Sequence, residues 1–599
     1  DWRADYEREL KAFDAMRPPA IRAVTLTVDI DPLSRRMVVD GEYRLGNISD
    51  QPITEFMLSW AQGNTVTYTL AGSREQRRYA ALNAVHVTLT EPLLPGETRT
   101  LAFTVERINR GFRESEVDNR VVRNGTFINN QELLPRLGFD ADQNLTDPQQ
   151  RTKRGLGVAH GFPALEDTTQ YWRTYLGADV QRVELDITIA TDLEQIAVAP
   201  GRLLREWRDG GRRYFRYQTE QPVLNFFTVL SGEYTVERER HNGIDIEVYH
   251  HPTHGMNVAR MIEAVRHALD YFGAEFGPYQ YRQLRIIEFP RYEQFAQSFA
   301  NTIPYSEDIG FVADLRSPRT IDYVYSVTAH ELAHQWWGHQ IAPANVQGGT
   351  VLSESLAQYS AYMLIRERYG EAYLRRFLKW EHDRYLRGRS NEVDVEQVLM
   401  RTENKPYIHY QKGGLVMWAL QDLYGTDRFH AALRSLLAEF RYRDDRHATT
   451  LDLLARLRSG ANDKELAFLR DSFARITLYD FRIESANGRQ RADGRYQVDV
   501  TLSGEKSDVA GDGSSTTIAL NERIDVALLA EHPDAPLTAD GVVSVESQRL
   551  TSGQQVLRLI SERRPTYIAV DPFLKRIDRT LDDNTMAITW ASGVADKRD

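Results

Sequence analysis

The chain has 599 residues, 42% hydrophobic and 27% charged. A length of this order makes about three or four domains, and the balance is that of a globular protein. The formal net charge of −11 and the pI near 5.8 argue against a general nucleic-acid binder, and no run approaches the ~20 apolar residues of a bilayer span.

Cysteine is absent. That excludes disulfides, thiolate metal sites, iron–sulfur clusters and cysteine nucleophiles together, so any metal chemistry must use His, Asp and Glu. The chain begins at Asp1 rather than Met, the expectation for a processed or excised polypeptide.

Arg3 to Ala15 reads as a polar helix stopped by Pro18-Pro19. A long β-rich region follows. Ala23-Val-Thr-Leu-Thr-Val-Asp-Ile30 and Val183-Glu-Leu-Asp-Ile-Thr-Ile189 alternate apolar and polar side chains, the period of half-buried strands. Gly46-Asn47 and Asp209-Gly-Gly211 punctuate them. The stretch from Asp140 to Thr169 lacks apolar pattern and is expected to be a long surface insertion.

Near Asp245-Ile-Glu-Val-Tyr249 a strand leads into an amphipathic helix, Asn257 to Phe272. A strand at Leu284–Phe289 and a helical run from about Ile321 come next. Leu415 to Ile476 reads as almost all helix. From Phe481 alternation returns, as in Tyr496-Gln-Val-Asp-Val-Thr-Leu502, and the tail reads as a small β-sandwich. The expected division is 1–235, 236–478 and 479–599.

The segment richest in chemistry is His330-Glu331-Leu332-Ala333-His334, within a stretch from Ile321 to Gly338 that reads as one helix. Histidines at i and i+4 stand one above the other on a helical face. One zinc ion can take both, at about 2.0–2.1 Å each. Glu331, beside the first histidine, suits a general base acting on water. The plain alternative is a surface helix with two solvated histidines.

A hydrolytic zinc site needs a third protein ligand and an open position. A downstream histidine in the metzincin layout fails on spacing, because Gly338 and His339 follow one residue out of step. Glu354 in Leu352-Ser353-Glu354-Ser355, at the start of a helix running to about Arg368, is the candidate. Ser353 is expected to cap that helix. Read alone, Glu354 is a first-turn acid favoured by the helix dipole.

His330-Glu-Leu-Ala-His334-Gln-Trp-Trp-Gly338 followed by a Glu on the next helix resembles the aminopeptidase N family of gluzincin zinc metallopeptidases. Nineteen residues separate His334 from Glu354, one more than is usual there, and the usual Asn-Glu-Gly is Ser353-Glu354-Ser355. The resemblance implies a multidomain α+β fold: an N-terminal β saddle, a thermolysin-like α/β zinc-peptidase domain with a helical extension, and a C-terminal β-sandwich. It implies one Zn2+ per chain, held by His330, His334 and Glu354.

Tyr410-Gln411-Lys412-Gly413 matches the family's Tyr-x-Lys-Gly. Its phenol can donate a hydrogen bond to the developing oxyanion; Tyr407 is a nearby competitor. The family's Gly-x-Met-Glu-Asn is absent, and Tyr305-Ser-Glu307-Asp-Ile-Gly-Phe311 stands in its place. In that register Glu307 binds the substrate's free amine. The family also takes a polar residue for the amine from the region Gly125–Pro135, where Asn129, Asn130, Gln131 and Glu132 remain open alternatives.

Phe295-Ala-Gln-Ser-Phe-Ala-Asn-Thr-Ile-Pro-Tyr-Ser-Glu307 looks like a bacterial subgroup in which the peptidase-like part is fused to an ABC-transporter-permease-type membrane region. This implies an extracytoplasmic, periplasmic soluble part of a longer membrane protein, a cytoplasmic location being the alternative.

The function so implied is a zinc-dependent aminopeptidase acting on peptides with a free N-terminus. Glu331 serves as general base and acid, Tyr410 stabilises the oxyanion and Glu307 anchors the ammonium. The alternatives are a zinc-bearing peptide- or partner-binding module of little activity, and a zinc endopeptidase.

Other constellations read as structure. His250-His251 and His254 are interrupted by Pro252 with no acidic partner at useful spacing, and are expected to form a strand-end turn. Trp336-Trp337 reads as core packing, and Arg434 to Arg446 as a solvated helix face and loop.

Overall fold

Alternation decides the first strands. In the computed structural model, which describes residues 2–109, 120–159, 161–317, 320–534 and 539–591, Ala20–Asp31 buries Val24, Leu26, Val28 and Ile30 and exposes Thr25, Thr27 and Asp29. It pairs antiparallel with Arg36–Gly46 and parallel with Arg182–Asp192, inside an eight-stranded sheet. A four-stranded sheet carries Ser73–Tyr79, Ala84–Leu93, Ile53–Ser59 and Arg136–Leu137. Its inward side chains Phe56, Leu58, Val85 and Val87 share one apolar cluster with those of the larger sheet.

The chain divides into two compact units. The first comprises Asp1–Ala313, Val327–Val346 and Leu437–Thr449. Besides the sheets above it holds a four-stranded sheet in the order Thr235–His241, Ile244–His250, Gln283–Phe289, Thr302–Ser306. The first pair is antiparallel and the other two are parallel, so the last three strands end on the same side. Strand Gln283–Phe289 is buried along its whole length, as expected of a strand covered on both faces. The helix Val258–Phe276 buries Met261, Val265, Ala268, Phe272 and Phe276, one apolar stripe at helical spacing.

Asp140 to Thr169 lies largely at the surface, as its composition suggests, and is anchored at a few buried points. A short helix, Pro148–Lys153, is capped by the Asp147 carboxylate. Its Arg151 is 4% exposed and forks onto the Glu7 carboxylate at 2.6 and 2.8 Å. A second buried fork, Arg136 on Asp179 at 2.8 to 3.1 Å, lies nearby in sequence, with the Leu137 N–H donating to the same carboxylate.

The second unit comprises Asp314–Ser326, Gln347–Leu436 and Thr450–Asp599. Its helices include Leu356–Tyr369, Glu371–Ser390 and Gly413–Tyr424. The C-terminal part is a two-sheet sandwich. One sheet is built on Ile476–Gln490 and Tyr496–Val509, the other on Asn521–Leu529 and Val542–Thr551. Phe481, Ile483, Val498 and Val500 from the first meet Ile524, Val526, Leu528 and Leu550 from the second in one core.

Helix and sandwich are tied by buried polar groups. The Arg375 guanidinium donates to the carbonyls of Pro533 and Pro572 and to Asp534. Trp418 Nε1 donates to the Phe573 carbonyl at 3.0 Å, and the Asp578 N–H donates to His382 Nε2 at 3.1 Å. The architecture is thus multidomain α+β. Among the described residues no helix is long and apolar enough to cross a membrane.

Candidate metal centre

The helix carrying His330 and Glu331 runs Tyr323–Ala333. It does not continue to Gly338 as the sequence suggests. Trp337 (φ −90°, ψ 68°) and Gly338 (φ 154°, ψ −57°) leave helical geometry, and the segment after His334 becomes a wide turn, the kind of irregularity that recurs at functional sites.

The break has a use. It brings the Trp337 carbonyl to 3.0 Å from His334 Nδ1. A proton on Nδ1 donated to that carbonyl leaves Nε2 as the free lone pair, which is how ligating histidines are ordinarily oriented. His330 Nε2 and His334 Nε2 then stand 3.1 Å apart. Two nitrogens bound at 2.0–2.1 Å to one tetrahedral ion would be separated by about 3.3 Å.

The turn itself is bolted down. The Gln335 amide donates to Ser298 Oγ and the Phe299 carbonyl and accepts from the Asn301 N–H. Trp336 Nε1 donates to the Gly277 carbonyl at 2.9 Å. His339 Nε2 lies 3.1 Å from the Ser298 carbonyl, and burial pushes its pKa down to about 4, which keeps it neutral. Trp336 and Trp337 are 0% and 1% exposed, the packing role their sequence suggests. Gln335 and His339 escaped sequence reasoning. Their one signal is polarity inside a run that is otherwise buried.

Glu354 lies in a wide turn, Val351–Ser355, that runs into Leu356–Tyr369. The expected Ser353 cap is absent: the helix continues from this turn without a side-chain cap, and Ser353 Oγ instead faces the Thr350 carbonyl at 3.4 Å. Tyr410 lies in a similar turn, Tyr407–Lys412, ahead of Gly413–Tyr424.

The two turns are laced together. Ser355 Oγ donates to the His409 carbonyl at 2.6 Å, and a Cβ on Gly413 would sit 2.0 Å from Ser355 Oγ. Only glycine allows that approach, a physical reason for Gly413 at the end of the Tyr-x-Lys-Gly stretch. Lys412, 1% exposed, has Glu396 at 3.8 Å. Burial pulls its pKa down to about 8.

His330 and His334 each offer one imidazole nitrogen, 3.1 Å apart, and Glu354 is the carboxylate that the sequence adds to them. Two imidazoles and one carboxylate form a donor set fitted to zinc. Glu331, next to the first histidine, is 7% exposed.

Glu307 follows the strand Thr302–Ser306. Its N–H donates to the Phe289 carbonyl, and its Oε1 accepts from the Arg291 N–H at 3.0 Å. Its other oxygen faces His254 Nδ1 at 3.9 Å. His254 does have an acidic partner, contrary to the sequence expectation: Glu288, from strand Gln283–Phe289, places Oε1 at 2.5 Å from its Nδ1. Among the four polar candidates near Gly125, Asn129 caps a short helix through the Glu132 N–H. Asn130 is spent on Asn225 and Phe227, and Gln131 on the Leu176 carbonyl.

Residues 260–473 match the peptidase family M1 domain. The chain is 24% identical over 305 residues to Aminopeptidase M1-B of Oryza sativa subsp. japonica, covering 48% of this chain and 34% of the relative. It is 24% identical over 220 residues to human endoplasmic reticulum aminopeptidase 2, covering 34% of this chain and 22% of the relative. The matched stretch thus spans about a third or less of these relatives. Among solved structures, an M1 zinc metallopeptidase of Deinococcus radiodurans bound to a Tyr-Ser-Ala substrate superposes with a TM-score of 0.52. It is 18% identical and covers 76% of this chain and 94% of its own. At that identity the likeness shows the fold. The M1 fold and the M1 domain match agree with the resemblance carried by the HELAH segment.

Proposed function

We propose that this M1-like chain is a zinc-dependent aminopeptidase of the aminopeptidase N type. The observation that carries the reading is the meeting of His330 Nε2 and His334 Nε2 at 3.1 Å on the helix that also carries Glu331. The M1 domain match over 260–473 and aminopeptidase relatives support it.

His330, His334 and Glu354 would hold the zinc ion, which would supply Lewis acidity to a water molecule and to the scissile carbonyl. Glu331 takes the proton of the attacking water and returns it to the leaving amine. The Tyr410 hydroxyl donates to the oxyanion that develops on the carbonyl oxygen. Glu307 pairs with the substrate ammonium and so favours substrates with a free N-terminus. The segment Phe295 to Glu307 supports, by itself, a placement outside the cytoplasm as part of a permease-type membrane protein.

The test is a panel of fluorogenic aminoacyl amides beside the same peptides with blocked N-termini, run with chelator and after zinc is restored. Cleavage of the free amides alone, lost with chelator and regained with zinc, is the expected result. Cleavage of blocked peptides would make the protein an endopeptidase. Zinc binding without turnover of any substrate would make it a binding module.

A further inference from the structure

We infer that Glu381 is a positioning residue: from the helix Glu371–Ser390 its carboxylate holds together the helix that follows Glu354 and the turn that carries Tyr410. The inference rests on the aminopeptidase reading above and adds to it a group that acts through its neighbours. Glu381 Oε1 accepts from Gln358 Nε2 at 2.7 Å. Gln358 stands four residues on from Glu354, in the helix Leu356–Tyr369. The side chain of Gln411, buried between Tyr410 and Lys412 in the turn Tyr407–Lys412, faces the same carboxylate.

The seam that Glu381 closes is tight. A Cβ on Gly414 would sit 2.8 Å from the Tyr362 hydroxyl and 2.9 Å from Gln358 Cγ, as one on Gly413 would meet Ser355. Two successive glycines therefore let the Tyr410 stretch lie against the helix after Glu354, and Glu381 reaches both from a third helix. The neighbours of Tyr410 are tethered as well. Ser355 Oγ donates to the His409 carbonyl, the Tyr407 hydroxyl donates to Glu392 at 3.0 Å, and Lys412 has Glu396 at 3.8 Å. A turn held at 407, 409, 411 and 412 fixes where the Tyr410 hydroxyl stands. The Glu381 hold is the one with capacity to spare on the carboxylate: its Oε2 is buried and makes no hydrogen bond.

The protonation of this group sets how firmly it holds. Glu381 is 3% exposed, and burial pushes its pKa up to about 7. The cation that faces it, Arg384, comes from its own helix and lies over the Trp380 ring at 4.3 Å. Tyr362, from the helix after Glu354, is kept far above the ordinary phenol range by burial and stays neutral. Lys412, from the turn, is directed to Glu396, and Gly413 and Gly414 bring no charge. As an acid, Glu381 accepts through Oε1 and carries its proton on Oε2. As an ion it is a buried charge short of hydrogen bonds, which draws in water and loosens the seam.

The experiment compares the zinc-loaded full chain with Glu381→Ala and the neutral isostere Glu381→Gln. It reads kcat and KM on one aminoacyl amide below and above pH 7, zinc affinity by chelator competition, and folding by circular dichroism. Glu381→Ala should lose about 10²-fold in kcat with KM little changed, and about 10-fold in zinc affinity through the displaced Glu354. Glu381→Gln should recover both below pH 7, and the ratio of wild-type to Glu381→Gln kcat should fall as pH rises through about 7. If Glu381→Ala does not fold, that ratio decides alone. An active wild type whose kcat ratio is flat with pH, or a folded Glu381→Ala with wild-type kcat and zinc affinity, overturns the positioning role and leaves the aminopeptidase reading. A wild type that binds zinc and cleaves nothing overturns that reading. The hold on Glu354 then stands if Glu381→Ala weakens zinc binding and Glu381→Gln restores it, and falls if neither variant moves it.

Discussion

The carbonyl oxygen of Trp337 lies 3.0 Å from Nδ1 of His334, three residues on in a chain that has just left the helix. That bond orients one imidazole, and it exists because Gly338 accepts φ 154°. Gly338→Ala should therefore disturb the metal centre without touching a ligand. The added Cβ meets the His334 ring at an ordinary 3.8 Å, so the cost is conformational, about 1–3 kcal/mol. We expect a lower unfolding midpoint and zinc affinity weakened by about 10-fold or more, measured by denaturant titration and competition with a chromogenic chelator.

Glu331→Gln keeps the size of the side chain and removes the proton acceptor. Hydrolysis of aminoacyl amides should fall by about 10²–10⁴-fold, with zinc content unchanged by elemental analysis. Near-normal kcat in a zinc-loaded variant would remove Glu331 from its role.

Tyr410→Phe separates transition-state from ground-state binding. Loss of one oxyanion donor costs about 10²–10³ in kcat. KM should move little, since the hydroxyl is used only as the oxyanion forms. Steady-state kinetics on one substrate reads both, and a change confined to KM would reassign the residue.

Asp179→Ala tests the β-rich unit alone. It leaves Arg136, 9% exposed and forked on that carboxylate, as a buried cation without its hydrogen-bonded counter-ion, the Asp140 carboxylate standing off at 3.9 Å. About 3–5 kcal/mol of stability should be lost, seen as a fall in the urea midpoint.

His382 is 0% exposed, and burial, with Lys379 nearby, pushes its pKa down to about 4. An unfolded histidine titrates near 6.5. The stability it contributes is therefore complete above pH 6.5 and drains away as pH falls toward 4, because the unfolded chain gains a proton that the folded chain refuses. The stability of wild type minus that of His382→Gln should shrink by about 3 kcal/mol across this window. A pH-independent difference would show that His382 titrates normally.

What could be read in the sequence was local. The meeting of His330 and His334 follows from a spacing of four on a helix, and the strands at Ala20–Asp31 and Arg182–Asp192 follow from alternation. What could not be read depended on register between distant segments. Glu288 reaches His254 across 34 residues, and Arg151 reaches Glu7 across 144. No periodicity connects such positions. The helix expected through Gly338 failed for another reason: Gln335, Trp336 and His339 gain more from partners on residues 277–301 than from further helical turns. Propensity yields where tertiary contacts are this dense.

Arg375, Trp418 and His382 reach out of their helices to the backbone of residues 533–578. A chain cut back to 479 would strand a guanidinium, an indole N–H and an imidazole in places water does not reach. Amide exchange should accordingly find these helices and the β-sandwich opening as one cooperative block, with no separate early melt of the C-terminal strands.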